Sequence, residues 1–372
     1  MDMQPMRSIL GTVLLSLCLP VAAFAELPDW PLGEGYSLAP YGQLHFALQD
    51  FDDGEKHTTN IVDITNSNTR VGFYVQPQDS SAGLSFQFES GLGFRPSAAT
   101  SQDSTPDALH WTRRDLRKVQ LIYKAGFGTV RLGQGSMPLD GAAESDLGGT
   151  VVVAKSTIPE ANGAYIFRTK DGVLSDVTIK DTFNNFDGAR RMRVRFDTKD
   201  VSGFSLAVAY GKEVLKSGDN TDYYDFALRF RKTFGTVKVI GAAGSAYADG
   251  DGDTTRTTIG SVSALDTRSG LNLSLALGKN AQSGADYAYV KGGWNTSFVS
   301  TGETKLIFEG FIGNDYRVSG AKSKMWGLAV IQNIDAANIE AYLGYRAFRY
   351  DDKSATDYQD AHAIQLGARW QF

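Results

Sequence analysis

The amino-acid sequence predicts an all-β protein, a transmembrane antiparallel up-and-down β-barrel of 16 to 18 strands. Three observations support this class. Segments of roughly ten residues alternate in polarity along the chain, as transmembrane strands do. Short and long connections alternate between these segments. The last eleven residues, His362–Phe372, alternate strictly and end on an aromatic ring. With 40 Gly, 37 Phe and Tyr together (21 + 16) and only 10 Pro in 372 residues, the composition fits twisted strands and tight turns.

The first element in the chain is an export signal. Arg7 precedes an apolar run over residues 9–21, which is followed by Ala23-Phe24-Ala25, a small-x-small cleavage site. We expect cleavage after Ala25, so that residues 1–25 are a signal peptide and residues 26–372 form one barrel domain. The alternative is a buried N-terminal helix. Cys18 is the only cysteine and lies within the signal, so no disulfide is expected in the mature chain.

Eighteen strands are predicted from the alternation of apolar and polar residues. In chain order they lie near 41–51, 67–76, 84–94, 117–124, 129–134, 164–169, 175–182, 189–198, 204–212, 222–232, 236–247, 255–265, 270–279, 286–296, 303–313, 323–334, 337–349 and 361–372. The pair near 164–182 alternates least clearly. If that pair is irregular, the barrel has sixteen strands.

The connections between these strands are of two kinds that alternate. The short ones cover residues 77–83, 125–128, 199–203, 233–235, 266–269, 297–301 and 335–336. The longer polar ones cover residues 52–66, 95–116, 135–163, 213–221, 314–322 and 350–360. Short turns on one rim and long loops on the other are typical of outer-membrane barrels, with short periplasmic turns and long extracellular loops.

Three arginines on one strand indicate which face of the barrel is wet. Arg191, Arg193 and Arg195 share one parity, while Met192, Val194 and Phe196 share the other. An arginine facing lipid at the midplane costs about 2–4 kcal/mol, so the arginines must face an aqueous interior. A solvated face of a soluble sheet is the alternative for this strand alone. Arg70, Arg131 and Arg229 take the inward parity of their own strands and complete the predicted basic wall.

A barrel of sixteen or eighteen strands is too wide for its own side chains to fill, so another segment must narrow it. The longest connection, residues 135–163, is the best candidate and carries three carboxylates, Asp140, Glu144 and Asp146. Folded inward, this loop would set the carboxylates against the arginines of the wall. The passage would then select small polar solutes by size, charge and dipole. The alternative is a long surface loop.

The C-terminal strand is expected to close the barrel against the strand near 41–51. Its apolar parity, Ile364, Leu366, Trp370 and Phe372, would face lipid, and Arg369 and Gln371 would face the interior. A chain end that would be an unpaired edge in solution becomes a seam.

Several short segments, in this order along the chain, resemble the general diffusion porins of Gram-negative outer membranes. They are the segments 41–44 (Tyr-Gly-Gln-Leu), 68–73 (Asn-Thr-Arg-Val-Gly-Phe), 126–134 (Gly-Phe-Gly-Thr-Val-Arg-Leu-Gly-Gln), 193–198 (Arg-Val-Arg-Phe-Asp-Thr) and 202–206 (Ser-Gly-Phe-Ser-Leu). The resemblance covers most of the mature chain. Two features depart from it: Gln134 stands where many members have arginine, and the predicted strand count exceeds the usual sixteen.

The resemblance implies a homotrimer of barrels, each with its own pore, and an inward third loop. It also implies that Arg70 lines the pore and that the terminal Trp370 and Phe372 are read by the outer-membrane assembly machinery. The expected function is passive diffusion of ions and small hydrophilic solutes through a protein embedded in outer-membrane lipid. The alternatives are a substrate-specific channel of similar build and, from a different class, an outer-membrane enzyme or adhesin with a plugged lumen.

Other functions find little support in the sequence. A net charge of −5 argues against a nucleic-acid partner. The four histidines, His45, His57, His110 and His362, show no paired spacing, so neither a metal site nor a cofactor is expected. Residues 249–253, Asp-Gly-Asp-Gly-Asp, are interpreted as a solvated hairpin turn, with a peripheral divalent-ion contact as the alternative. No catalytic motif was found, so an enzyme is not expected.

Overall fold

The computed structural model describes residues 27–79, 82–250 and 252–372. The expected signal peptide and Cys18 lie outside these residues. The strands are β1 (Trp30–Gly33), β2 (Tyr36–Asp52), β3 (His57–Asp63), β4 (Arg70–Pro77), β5 (Gly83–Gly91), β6 (Leu116–Ala125), β7 (Gly128–Ser136), β8 (Ile166–Arg168), β9 (Leu174–Thr178), β10 (Arg190–Thr198), β11 (Phe204–Lys212), β12 (Asp222–Phe234), β13 (Val237–Gly250), β14 (Asp253–Asp266), β15 (Leu271–Asn280), β16 (Asp286–Val299), β17 (Gly302–Asn314), β18 (Lys322–Ile334), β19 (Ile339–Asp351) and β20 (Ala361–Gln371). Two one-turn helices, α1 (Pro159–Asn162) and α2 (Ile179–Thr182), interrupt the longest connection. Within the described part of the chain, no helix has the length and apolar character to cross a membrane.

Sixteen of these strands close an antiparallel barrel, namely β2, β4 to β7 and β10 to β20. Each pairs with its neighbours in the sequence of the barrel, and β20 pairs with β2 over ten residue pairs from Gln43↔Gln371 to Asp52↔His362. The predicted fold class and the seam are therefore confirmed. Of the two predicted strand counts, the barrel has the lower one, sixteen. The two segments near 164–182 that raised the predicted count to eighteen form β8 and β9, a separate two-stranded sheet.

Two separate strands, β3 and β4, pair with the same side of β2, which the sequence did not predict. β4 pairs with residues 36–43 of β2, and β3 pairs with residues 46–52 of the same strand. A 3₁₀ turn at Thr65–Ser67 separates β3 from β4. The segment near 52–66, predicted as a loop, therefore contains a strand, and the short β1 adds to the other end of β2.

The two faces of the strands differ in polarity as the alternation predicts. On β10, Met192 and Val194 are exposed while Arg193 and Arg195 are buried inside the barrel. On β15, alternate leucines at 271, 273, 275 and 277 are exposed. Because exposed apolar side chains occupy the outer parity of neighbouring strands, the barrel carries an apolar band suited to lipid.

The connections also follow the prediction. Those at residues 126–127, 199–203, 235–236, 267–270, 300–301 and 335–338 lie on one rim, and the long ones lie on the other. Gly270 occupies a left-handed backbone conformation (φ 74°), and a Cβ there would overlap the carbonyl oxygen of Asn295. At the junction of β13 and β14, Gly250 pairs with Asp253; residue 251 lies outside the described residues.

Part of the barrel interior is apolar, which corrects the expectation of an aqueous lumen throughout. Side chains of the longest connection pack against the inner face of strands near the long-loop rim. The ring of Tyr165 stacks on Phe51 with centroids 4.1 Å apart, and Phe183 lies 5.5 Å from both Phe311 and Phe348. Apolar contacts therefore fill this side of the lumen.

Candidate functional site: the lumen loop and the passage beside it

The segment 137–189, here called the lumen loop, lies inside the barrel. It begins by crossing the inner faces of β12 and β14. The backbone N–H groups of Ser145 and Leu147 donate to the hydroxyls of Ser261 (2.7 Å) and Ser263 (3.1 Å). The wall makes room with small residues such as Ala227 and Gly244, and a Cβ on Gly244 would lie 2.7 Å from Leu139 Cδ1. The inward orientation predicted for residues 135–163 is thus observed, over a longer segment.

Lys291 on β16 anchors the middle of the lumen loop. Its fully buried ammonium group forms an ion pair with Glu144, lies 3.4 Å from Asp146 Oδ1 and donates to the carbonyl of Ala154 at 3.1 Å. Burial acts to raise the pKa of Asp146. The nearby Lys291 ammonium and the N–H groups donated by the loop backbone outweigh burial, so the pKa is lowered. Asp146 is therefore held charged, and both carboxylates lie against a buried cation.

Further anchors carry the lumen loop around the wall to β2. The guanidinium group of Arg346 on β19 donates to the carbonyl of Lys155 at 3.0 Å. The side chain of Gln49 on β2 donates to the carbonyl of Ala161 at 2.7 Å. Arg168 forms a bidentate pair with Asp53 at 2.9 and 2.8 Å. The loop therefore covers the wall from β12 to β2 and leaves β4 to β7 and β10 uncovered.

Three of the predicted wall arginines hold the entry of the lumen loop. Arg193 and Arg195 both donate to the carbonyl of Ser136 at 3.1 Å. Arg195 also donates to the carbonyl of Met137 at 3.1 Å, and Arg229 donates to that of Pro138 at 2.6 Å. These guanidinium groups face inward as predicted, but backbone carbonyls occupy much of their donor capacity.

The other three predicted arginines also lie on the inner face. Arg131 forms an ion pair with Asp197. Arg191 lies 3.3 Å from Glu213 and 4.1 Å above the ring of Tyr223. The Nε atom of Arg70 lies 3.7 Å from Oε2 of Glu89.

A cavity of about 480 Å³ lies between the uncovered wall and the lumen loop. Five cationic side chains and three carboxylates line it: Arg117, Lys118, Lys155, Lys180 and Arg190, with Asp140, Glu160 and Asp187. Of the three predicted loop carboxylates, only Asp140 reaches this cavity. Glu144 and Asp146 line a separate cavity of about 390 Å³ on the other side of the loop entry, together with Arg229.

The strongest cationic cluster of the wall was missed by the sequence analysis. Glu89 on β5 is buried and accepts from Arg117 at 2.6 Å and from Lys118 at 3.2 Å. Arg117 and Lys118 are consecutive in β6, so strict alternation would place them on opposite faces. A register shift between Glu89 and Ser90 brings both to the same carboxylate. Period-two analysis cannot detect such a shift.

Asp187 was also missed, because it lies beyond residue 163. Its carboxylate accepts from the backbone N–H groups of Gly141 at 3.0 Å and Ala143 at 3.2 Å, so it joins the two ends of the lumen loop. Burial and the neighbouring Asp140 raise the pKa of Asp187 to about 7. A carboxyl group that titrates near neutral pH therefore lies on the wall of the cavity.

The C-terminal strand is placed as expected. Trp370 is exposed on the outer face and its ring lies 4.9 Å from that of Phe372. Gly42 and Phe372 exchange backbone hydrogen bonds of 2.8 and 3.1 Å, which extend the seam to the last residue. On the inner face, Arg369 donates to Glu340 at 2.7 Å. The part of the seam that faces lipid thus ends in a pair of aromatic rings.

Comparisons with known proteins agree with this architecture. A family model described as Gram-negative porin matches residues 11–372. An anion-selective porin from Comamonas acidovorans has a similar structure (TM-score 0.59, 15% identity, covering 91% of this chain and 100% of that one). The outer membrane channel DcaP of Acinetobacter baumannii is also similar (TM-score 0.58, 13% identity, covering 93% of this chain and 100% of that one). Salmonella typhi OmpF in complex with daunomycin is similar as well (TM-score 0.53, 15% identity, covering 91% of this chain and 98% of that one).

No curated protein matches the sequence. At such low identities the structural neighbours establish only the barrel fold. The family model, which matches nearly the whole chain, establishes membership of the family. The protein therefore belongs to the Gram-negative porin family and is an outer-membrane diffusion channel for small solutes.

Proposed function

We propose that the cavity between the lumen loop and the uncovered wall is the constriction through which ions and small hydrophilic solutes diffuse. The observation that carries this proposal is the division of charge across it. Arg117, Lys118 and Arg190 lie on the barrel wall, and Asp140 and Asp187 lie on the loop. Opposed charges across a narrow aqueous passage orient dipolar solutes and discriminate by size and charge.

The predicted site residues take different roles in this proposal. Asp140 is the constriction carboxylate. Glu144 and Asp146 act chiefly by fixing the loop to Lys291, since their charges are paired there. Arg70 belongs to the constriction through the Glu89 cluster. Arg193, Arg195 and Arg229 support the loop entry, and Arg131 and Arg191 line the lumen on either side of it.

A preference for anions follows from the charges that line the passage. Lys155 and Glu160 lie 3.2 Å apart and largely neutralise each other. The remaining lining groups are four cations, Arg117, Lys118, Lys180 and Arg190, against Asp140 and Asp187. Glu89 is buried on the inner face beside Arg117 and Lys118 and offsets one more cation. The balance stays positive, so anions would be enriched in the passage.

Planar-bilayer recording tests this function. Purified protein should give stable conductance steps, and a salt gradient should give a reversal potential of the sign that marks anion preference. Exchanging Arg117 for Gln should reduce that preference. The matched control is Lys216→Gln, which removes a cation from the long-loop rim between β11 and β12, outside the passage lining. Absence of conductance steps would contradict the channel itself, whereas steps with cation preference would contradict only the charge assignment.

The assembly proposed for the channel is a homotrimer of barrels, delivered to the outer membrane after removal of residues 1–25. The family membership supports both parts. Unheated gel electrophoresis with chemical cross-linking should give a species of three chains, and N-terminal sequencing of the exported protein should begin at Glu26. A monomer, or an N-terminus at Met1, would contradict the corresponding part.

A substrate-specific channel is the second candidate. The observation in its favour is an aromatic pair on the inner wall beside the Glu89 cluster. The rings of Tyr41 and Tyr74 lie 5.4 Å apart, and the Tyr41 hydroxyl donates to Glu89 at 2.9 Å. A track of this kind holds solutes by ring contact and hydrogen bonding. Saturable block of the ion current by a solute, lost in Tyr74→Ala, would favour this candidate over general diffusion.

A further inference from the structure

The outer face of β18 and β19 carries cations at the edge of its apolar band. Proceeding toward the long-loop rim, the outward residues of β18 are Leu328, Trp326, Lys324 and Lys322. Lys322, Lys324 and Arg349 are exposed on this face, and Arg349 lies directly opposite Lys324 on β19. These three residues are here called the rim patch.

The rim patch places like charges side by side. Directly opposed residues of antiparallel strands have Cα atoms about 4.5–5.5 Å apart, and like charges in such pairs are destabilising. Arg349 has an acceptor, since its Nε donates to Asp360 at 2.9 Å. On its other neighbouring strand, Lys324 lies opposite Ile312. No hydrogen-bond or ion-pair partner of Lys322 or Lys324 is found among the residues that the structure describes.

Lys170 and Asp357 line the same cavity as Arg349 but form an ion pair with each other at 3.3 Å. Two further carboxylates neighbour the patch directly. Asp360 is occupied by Arg349. Asp351 lies opposite Lys322, but its Oδ1 accepts from the backbone N–H of Lys353 at 2.8 Å, and it forms no ion pair with Lys322 within the described part of the chain. Two ammonium groups beside a guanidinium group are therefore left without a matched anion.

The position of the patch indicates where its counter-ion comes from. The rings of Trp326 and Tyr345 lie 5.3 Å apart; Trp326 is two residues below Lys324 on β18, and Tyr345 is four residues below Arg349 on β19. Aromatic girdles mark the level where acyl chains give way to head groups. The outer face is apolar at the level of Tyr345 and below it, with exposed Leu328, Leu343 and Leu366. The patch thus lies at head-group level, above a surface suited to acyl chains.

We propose that the rim patch binds a lipid of the outer leaflet whose head group carries phosphates. Arg349 offers a planar donor pair to phosphate oxygens, and the two lysines add flexible ammonium donors. The acyl chains would lie along Trp326 and the leucines below it. This site is on the outside of the barrel and is separate from the solute passage. It rests on the outer-membrane location, with the long loops outside the cell.

Native mass spectrometry of the detergent-solubilised protein tests the proposal with two probes. Lipid A, a bisphosphorylated glycolipid, should bind more tightly than zwitterionic phosphatidylethanolamine. Since a cation near an anionic lipid surface is worth roughly a factor of five in binding, the double variant Lys322→Gln/Lys324→Gln should weaken lipid A binding about tenfold or more. The charge-keeping variant Lys322→Arg/Lys324→Arg should bind as the native protein does.

The matched control is Lys212→Gln. Lys212 lies on the outer face of β11 at the same rim, but its ammonium group is 2.8 Å from Asp222 and is therefore neutralised. Lipid A binding should be unchanged in this control. Heat-modifiable migration on gels checks that each variant retains the barrel. Equal binding of both lipids, native-like binding by the double Gln variant, or displacement of lipid A by inorganic phosphate would overturn the proposal.

Discussion

The clearest test of how the lumen loop is held is the substitution Lys291→Met. It removes the buried ammonium group and leaves Glu144 and Asp146 charged and unpaired inside the barrel. Breaking a buried ion pair by removing one partner costs about 3–5 kcal/mol. The remaining anchors at Ser261 and Arg346 keep both sides of this segment attached. We therefore expect the central part of the loop to detach from β16 while the barrel stays folded.

The assay is single-channel recording in planar bilayers. Loosening of the segment between Ser145, which Ser261 still holds, and Lys155, which Arg346 still holds, should give larger and noisier conductance steps. Lys238→Gln is the control, because that lysine also lies on the inner parity of its strand but is exposed near the short-turn rim. The triple variant Lys291→Met/Glu144→Gln/Asp146→Asn removes all three charges together and should restore quiet steps, since replacing a whole buried ionic set costs little. Native-like, quiet conductance in Lys291→Met would refute the role of this anchor.

Three further predictions concern the passage and the seam. Because the pKa of Asp187 is raised to about 7, this carboxyl group is neutral at pH 6 and charged at pH 8. Reversal potentials should therefore show stronger anion preference at pH 6, and Asp187→Asn should remove most of the difference. Asp140→Asn should move the reversal potential toward anions more than Glu144→Gln does, since Asp140 has no cation within ion-pair distance among the described residues; an equal shift would contradict the assignment. Deleting Phe372 removes a ring that packs on Trp370 and Gly42, a loss of about 1.5–3 kcal/mol. The yield of assembled protein in outer-membrane fractions should fall while the conductance of the surviving channels is unchanged.

Much of the barrel could be predicted from the sequence because every wall strand obeys the same period. Strands such as β11, predicted at residues 204–212, were placed to the residue, and the seam between β2 and β20 followed from the alternation of the last eleven residues. Two features were not predicted, and the reason is the same for both. The break that separates β3 from β4 and the register shift at Glu89 both interrupt the period. Alternation predicts regular strands and has no means of marking where pairing shifts.

The candidate site was predicted less well, because a loop inside a barrel is fixed by tertiary contacts rather than by local pattern. Asp140, Glu144 and Asp146 look equivalent in sequence. In the structure they differ, because Lys291 of β16, which is 147 residues from Glu144 in the chain, pairs with Glu144 and Asp146 but not with Asp140. Asp187 was missed because the weak alternation near 164–182 suggested that the loop had already ended.

A sequence signal for the path of the lumen loop nevertheless exists in the size of the inward residues. Where the loop enters the barrel along β12 and β13, inward positions are small, as at Ala227, Ala242 and Gly244, because the backbone must approach closely. Where the passage lies, the inward positions are long and charged, as at Arg117 and Glu89. A loop can pack on charged inward residues only where it supplies partners for them, as Glu144 and Asp146 do for Lys291, because a buried unpaired charge is costly. In this barrel, the alternation of residues defines which side of each strand faces inward, and the size and charge of the inward residues then decide which wall the loop covers and which wall remains open to solutes.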